Sequence, residues 1–220
     1  MRQCLVVFGT ILAMLAEPTT QTDPSQFAAA LQRKYDAVRD FQADFVQTVR
    51  GGVLQRRLTE RGTLIVKKPS KMRWEYASPE EKLFVSDGTK VYSYFPVDGQ
   101  VIVSDVPVDD RVASPGLFLA GRGRLTEDYV ASFEELPEDM PRDGVALKLV
   151  PRVPRPDYEW LVLVADPEDL TLRGLLWVDA QGGTSSFAFS NLKENLGPTD
   201  KEFVFTIPHG VEVVTDAPAL

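Results

Sequence analysis

The chain has 220 residues, 44% of them hydrophobic, and a formal net charge of −8, which suits one large domain or two small ones with a sizeable core and argues against disorder. An acidic surface disfavours nucleic-acid binding, because neutralising phosphates takes Lys and Arg in excess. One cysteine and one histidine exclude a disulfide within the chain and leave too few ligands for a typical zinc site.

Residues 1–16 carry a single charge, Arg2, followed by an uncharged apolar run from Cys4 to Ala16. This reads as a secretory signal: the run is short for a membrane span, and polar residues follow it from Glu17 to Asp23. Cleavage is expected near Ala16, at the latest at about residue 22, although Met14 is larger than the small residue usual three places before the cut. Losing residues 1–16 removes the only cysteine, so the exported chain, expected in the periplasm, is thiol-free and more acidic still. Residues 23–214 are expected to form one domain, with 215–220 a short tail.

Asp23-Pro24-Ser25-Gln26 supplies an N-cap, a proline for the first helical turn and a glutamine able to return the cap bond. Phe27, Leu31, Tyr35 and Val38 then recur at helical spacing, so the predicted helix has one apolar stripe. From Phe41 the period changes to two, with Phe41, Ala43 and Phe45 alternating with Gln42 and Asp44. Further strands are predicted at 54–58, 63–67, 72–76, 82–86, 90–95 and 100–104. Gly51-Gly52, Asp87-Gly88 and Asp98-Gly99 supply the positive backbone angles of tight hairpins between them.

The segment 114–121, with Pro115 near its start and Gly121 at its end, predicts a brief apolar helix that could serve as a lid. A second set of strands is predicted at 145–150, 160–165, 174–179, 185–190 and 203–207, with Gln181-Gly182-Gly183 turning one hairpin. About eleven strands joined by sequential hairpins, with no linker between the halves, favour one strongly curved antiparallel sheet or unclosed barrel with a few helices.

Met72, Trp74 and Tyr76 share one strand face, opposite Lys71, Arg73 and Glu75. A curved sheet filled by one helix and one short apolar segment can leave a void, because large side chains on diverging strands do not all meet. From periodicity alone the same stripes read first as ordinary core, as aromatic stripes usually are.

Nothing in the chain assembles into a catalytic or cofactor-binding constellation. His209 lies in the turn Pro208-His209-Gly210, no Gly-x-Ser-x-Gly elbow occurs, and there is no nucleotide-cradling glycine loop. Gly121-Arg122-Gly123-Arg124 lacks the third glycine of a dinucleotide fingerprint, and Glu80-Glu81, Asp109-Asp110 and Glu134-Glu135 read as solvated charge. No enzyme activity, cofactor or metal is expected.

Phe41-Gln-Ala-Asp-Phe45-Val-Gln47, then Gly62-Thr-Leu-Ile-Val-Lys-Lys-Pro69 with Met72-Arg73-Trp74-Glu75-Tyr76, resembles the outer-membrane lipoprotein carrier family, LolA. Leu83-Phe84-Val85-Ser86-Asp87-Gly88, the lid-like 115–120 and the closing Phe203-Val-Phe-Thr-Ile-Pro208-His-Gly210 are similar too, so the resemblance covers nearly all of the exported chain. It implies an unclosed, highly curved antiparallel barrel, about eleven strands, with a helical lid over a hydrophobic cavity. It implies a periplasmic chaperone, expected to be a monomer, that takes acylated lipoproteins from an inner-membrane lipoprotein-releasing transporter and delivers them to an outer-membrane receptor. The cavity-lining positions carried over by the resemblance are Tyr35, Met72, Trp74 and the lid residues Leu117, Phe118 and Leu119, and the stripes add Phe45, Tyr76 and Tyr92. The family's basic latch, which bonds lid carbonyls, falls on Lys68; a lysine lacks the planar fork of the arginine usual there. The fold also suits a periplasmic sensor of mislocalised lipoproteins, which would carry an extra domain, or a carrier of another lipid. An anchored receptor would need an acylated cysteine after its signal, where Cys4 does not stand.

Overall fold

The structure is a computed structural model and describes residues 23–51, 56–107, 115–121 and 123–215. The expected signal, residues 216–220 of the expected tail, positions 54 and 55 of one predicted strand, Gly52, Asp109-Asp110, Ser114 and Arg122 lie outside the described residues.

Helix α1, Pro24–Ala37, begins where the sequence sets a cap. Asp23 accepts the Ser25 N–H at 2.7 Å and the Ser25 hydroxyl at 2.5 Å, and Pro24 sits in the first turn, where its missing N–H costs nothing. Those two bonds hold the Asp23 carboxyl below its ordinary pKa. Phe27, Ala28 and Leu31 are buried, and Val38 ends the helix with its N–H shared between the Lys34 and Tyr35 carbonyls, 3.2 Å each.

The strands, in chain order, are β1 (Asp40–Arg50), β2 (Arg57–Lys67), β3 (Lys71–Ser78), β4 (Lys82–Asp87), β5 (Lys90–Phe95) and β6 (Gln100–Asp105). After the short helices α2 (Pro115–Leu119) and α3 (Leu125–Asp128) come β7 (Tyr129–Glu134), β8 (Val145–Pro151), β9 (Trp160–Ala165), β10 (Leu172–Val178), β11 (Thr184–Glu194) and β12 (Glu212–Thr215). Among the described residues they form one 12-stranded sheet in the order β12-β6-β5-β4-β3-β2-β1-β11-β10-β9-β8-β7, whose two edges do not pair with each other, so the barrel is unclosed. Asp87-Gly88 and Asp98-Gly99 turn their hairpins as predicted, with Gly88 at φ +97° and Gly99 at φ +60°. Register shifts between Gln42 and Asp44, Arg61 and Gly62, and Leu172 and Gly174 bend the sheet, since a bulge sharpens the local twist.

Register decides what faces inward. Phe41 pairs with Val66 and Val66 with Met72; Ala43 pairs with Leu64 and Leu64 with Trp74; Phe45 pairs with Gly62 and Gly62 with Tyr76. This face continues through Phe187, Phe189, Leu175, Leu161, Leu163, Leu147 and Leu149, and packs with Phe27 and Leu31 of α1 and Phe118 and Leu119 of α2 into one core. A Cβ on Gly62 would stand 1.9 Å from the Glu75 carbonyl oxygen and 2.8 Å from Phe45 Cζ. The Glu75 carbonyl and the Phe45 ring together fill the space a side chain would need.

The outer face has two covers. Met140 packs over Ala146, Val162, Val164, Leu176 and Val178, and Asp139 clips that segment to Arg50 at 2.9 Å and Arg57 at 2.6 Å. This explains why 161–165 is an unbroken buried apolar run, as a strand covered on both faces must be. A 3-10 turn at Asp200–Phe203 and the chain after it cover β3, β4 and β5, held by Asp200 to Lys67 at 2.7 Å and to Lys71 at 3.0 Å.

Four local expectations are corrected. The predicted strands 54–58 and 63–67 belong, over the described part, to the single strand β2. The predicted strand 203–207 is not a strand: Phe203 closes the 3-10 turn, and Phe205 inserts between Tyr92 and Tyr94, 5.5 Å from each ring. Strand β7 has no counterpart among the predicted strands. Strand β12 pairs with β6 in parallel, Glu212 opposite Gln100, whereas hairpin logic expects antiparallel neighbours only.

Candidate functional site

Helix α2 is too short to hold itself, since so short a helix leaves most of its backbone groups unpaired. Other elements satisfy them. The Tyr35 hydroxyl donates to the Phe118 carbonyl and accepts the Gly121 N–H at 2.9 Å, and the Ser70 N–H donates to the Ala120 carbonyl at 2.9 Å. The Tyr35 and Phe118 rings stack at 5.7 Å with 10° between planes. Burial pushes the Tyr35 phenol above its ordinary range, so it keeps its proton and remains a donor.

Among the described residues Lys68, the expected latch, bonds no carbonyl of the lid-like segment. Its ammonium bonds the Tyr35 carbonyl at the end of α1 and sits over the Tyr35 ring, 3.1 Å from its centre. Burial pushes the Lys68 pKa down to about 8, against the opposing pull of Asp36 and Glu194. The contacts form a chain: Lys68 bonds Tyr35, and Tyr35 bonds α2. A Cβ at Gly121 (φ +94°) would approach the Lys68 stem to 3.2 Å, so the chain turns tightly over the lysine where α2 ends.

Beneath α1 and α2 lies an apolar cavity of about 40 Å³, room for two or three waters. It is lined by Leu31, Val38, Phe41, Phe118, Leu119, Leu125, Leu163, Leu170, Leu172 and Leu192, together with Tyr35, Lys34 and Glu194. An acyl tail needs more: pockets that enclose ligands run to about 300–1,000 Å³. As it stands, this void is far smaller than such pockets.

The other expected lining residues lie elsewhere. Phe45, Trp74 and Phe187 form a filled aromatic core, with ring centres 5.2 Å (Phe45 to Trp74), 5.6 Å (Phe45 to Phe187) and 4.9 Å (Trp74 to Phe187) apart. Tyr76 adds to it at 4.9 Å from Phe45, and Met72 is buried in the same cluster. Tyr92 pairs with Val85, and Val85 with Arg73, which puts it on the outer face under Phe205, not on the inner face with Trp74. Of the expected contacts, Tyr35, Phe118 and Leu119 reach the cavity; the side chain of Leu117 lies outside the described residues.

Sequence reasoning missed a polar group at the far end of the inner face. The Tyr76 hydroxyl donates to Gln47 at 2.7 Å, Gln47 donates to Ser185 at 3.1 Å, and Lys82 pairs with Glu60 at 2.5 Å, the Glu60 side chain only 6% exposed. The pairing of Gln47 with Glu60 across β1 and β2 brings them together; the period-two pattern places Gln47 on the inner face, but nothing local announces its partners.

Residues 36–206 match the family described as outer membrane lipoprotein carrier protein LolA. The chain belongs to that family. Relatives named outer-membrane lipoprotein carrier protein include one from Chromohalobacter salexigens, 32% identical over 213 residues and covering 96% of each chain. Another, from Bordetella avium, is 34% identical over 179 residues, 80% of this chain and 81% of its own. Among solved structures, a conserved protein of Thermus thermophilus shares the fold with a TM-score of 0.50 at 17% identity, over 88% of this chain and 100% of its own. Among the described residues no helix is long and apolar enough to cross a membrane.

Proposed function

We propose that this protein is a periplasmic carrier, not an enzyme, that shelters the acyl chains of lipoproteins leaving the inner membrane and passes them to a receptor in the outer membrane. The observation that carries this reading is the cavity between α1, α2 and the sheet: ten of its lining residues are wholly apolar, and it is closed by a helix docked through a few hydrogen bonds. A saturated chain of about fifteen methylenes gains on the order of 12 kcal/mol on leaving water, so a rigid pocket of full size would not release it. A cavity that is small when empty and widens by undocking α2 spends part of that gain on opening, which lowers net affinity and leaves donor and acceptor to set the direction of transfer.

The lid role assigned to α2 rests on its placement over the cavity and on the Tyr35 bonds. Native mass spectrometry of the protein taken directly from periplasm tests the proposal. The expected result is a population carrying acylated protein cargo; a chain that is always empty, or one loaded only with free lipids, would overturn it.

A further inference from the structure

Among the described residues, the cavity's charged lining groups are Lys34 and Glu194, which meet at 2.5 Å and are 29% and 21% exposed. Leu170, Leu172 and Leu192, on and beside β10 and β11, are partly buried, whereas Leu119, Leu125 and Leu163 are nearly or fully inaccessible. The mouth of the cavity therefore lies between the last turns of α1 and the strands β10 and β11, with the ion pair on its rim. An acyl chain that enters tail first leaves its polar end beside Lys34 and Glu194.

We infer that the Lys34–Glu194 pair selects the cargo's head, admitting acyl groups whose polar end is a neutral ester or amide and rejecting free fatty acids. This deepens the carrier reading and rests on it. Because Glu194 already neutralises Lys34, an incoming carboxylate meets a carboxylate at the rim without a cation to spare. Other charges around the rim add no spare cation and leave it net negative: Asp36 and Glu194 both act on Lys68, whose ammonium is engaged by the Tyr35 carbonyl, and Lys34 also faces Asp169. A neutral carbonyl, by contrast, needs only one of the ammonium's hydrogens, and an ammonium has three. The consequence is that the cavity stays available to acylated protein in the presence of membrane-derived fatty acids.

The test is displacement of the neutral dye N-phenyl-1-naphthylamine from the full exported chain at pH 8 by decanoate and by 1-monodecanoylglycerol. The wild-type chain should favour the monoacylglycerol, and Glu194→Gln, which frees Lys34 to hold a carboxylate, should shift that preference toward decanoate by about tenfold. The charge-reversed double variant Lys34→Glu/Glu194→Lys keeps a neutral pair and should restore the wild-type ratio. An unchanged ratio in Glu194→Gln, with both ligands still displacing dye, would overturn the head-group selection and leave the carrier reading standing. Failure of both ligands to displace dye from the wild-type chain would overturn both.

Discussion

Tyr35→Phe removes one oxygen and leaves the ring in place. The Phe118 carbonyl then loses the donor it takes from α1, and the Gly121 N–H loses its acceptor at 2.9 Å, although Gly121 N can still lean on the Phe118 carbonyl at 3.1 Å. Two hydrogen bonds are worth about 0.5–1.5 kcal/mol each, so docking of α2 should weaken by about 1–3 kcal/mol, an increase in the undocked population of roughly 5- to 150-fold. The stacked contact with Phe118 and the Lys68 cation over the ring survive the change, so global stability should fall by less than local protection does. Hydrogen exchange followed by mass spectrometry should show faster exchange over 116–121 and at Ser70, whose N–H bonds the Ala120 carbonyl, with β-strand amides unaffected. Wild-type exchange in that segment would refute the idea that tyrosine, and not lysine, holds the lid.

Lys68→Met tests the relay by pH. The folded value near 8 lies below the ordinary 10.5, so between those pH values the unfolded chain binds the extra proton and this group makes stability rise with pH; the rise, read from urea midpoints at pH 7.5 and 9.5, should disappear in the variant. Phe118→Asp places a charge in the apolar lining and should abolish dye binding while the β-type circular dichroism persists. Lys82→Met strands the buried Glu60 carboxylate and should cost about 3–5 kcal/mol in urea unfolding, most of it recovered when Glu60→Leu is added. Trp74→Ala empties the centre of the aromatic core and should cost about 3–5 kcal/mol, which separates a core residue from a ligand contact that would leave stability nearly intact.

Strand periods and turn residues made most of the sheet legible. Met72, Trp74 and Tyr76 do face inward, and Asp87-Gly88 does turn a hairpin, because alternation and positive φ are properties of a few adjacent residues. Strand β7 is obscured because Val130 on its outer side is apolar and 51% exposed, which blurs the contrast between faces. The segment 203–207 misleads in the opposite sense: Phe203, Phe205 and Ile207 alternate like a strand, yet Phe205 fills the space over Tyr92 and Tyr94, and among the described residues no strand pairs with it. Tyr92 is misplaced for want of register, since a strand's two faces look alike when both carry large side chains. Tyr35 reads as one more apolar position on a helix; the carbonyl that its hydroxyl seeks belongs to Phe118, 83 residues away.

The amino-acid order alone determined an acidic chain with one capped amphipathic helix, a long series of hairpin-linked strands and a short proline-to-glycine helix, because each of these is set by neighbours within a few residues. Only the folded arrangement decided that the aromatic rings of the stripe pack against one another, that the void lies under α1 and α2, and that a tyrosine bonded by a lysine in turn bonds α2. Those outcomes depend on how side chains from strands far apart in sequence fill one curved interior, and volume of that kind is a property of all the contributors together.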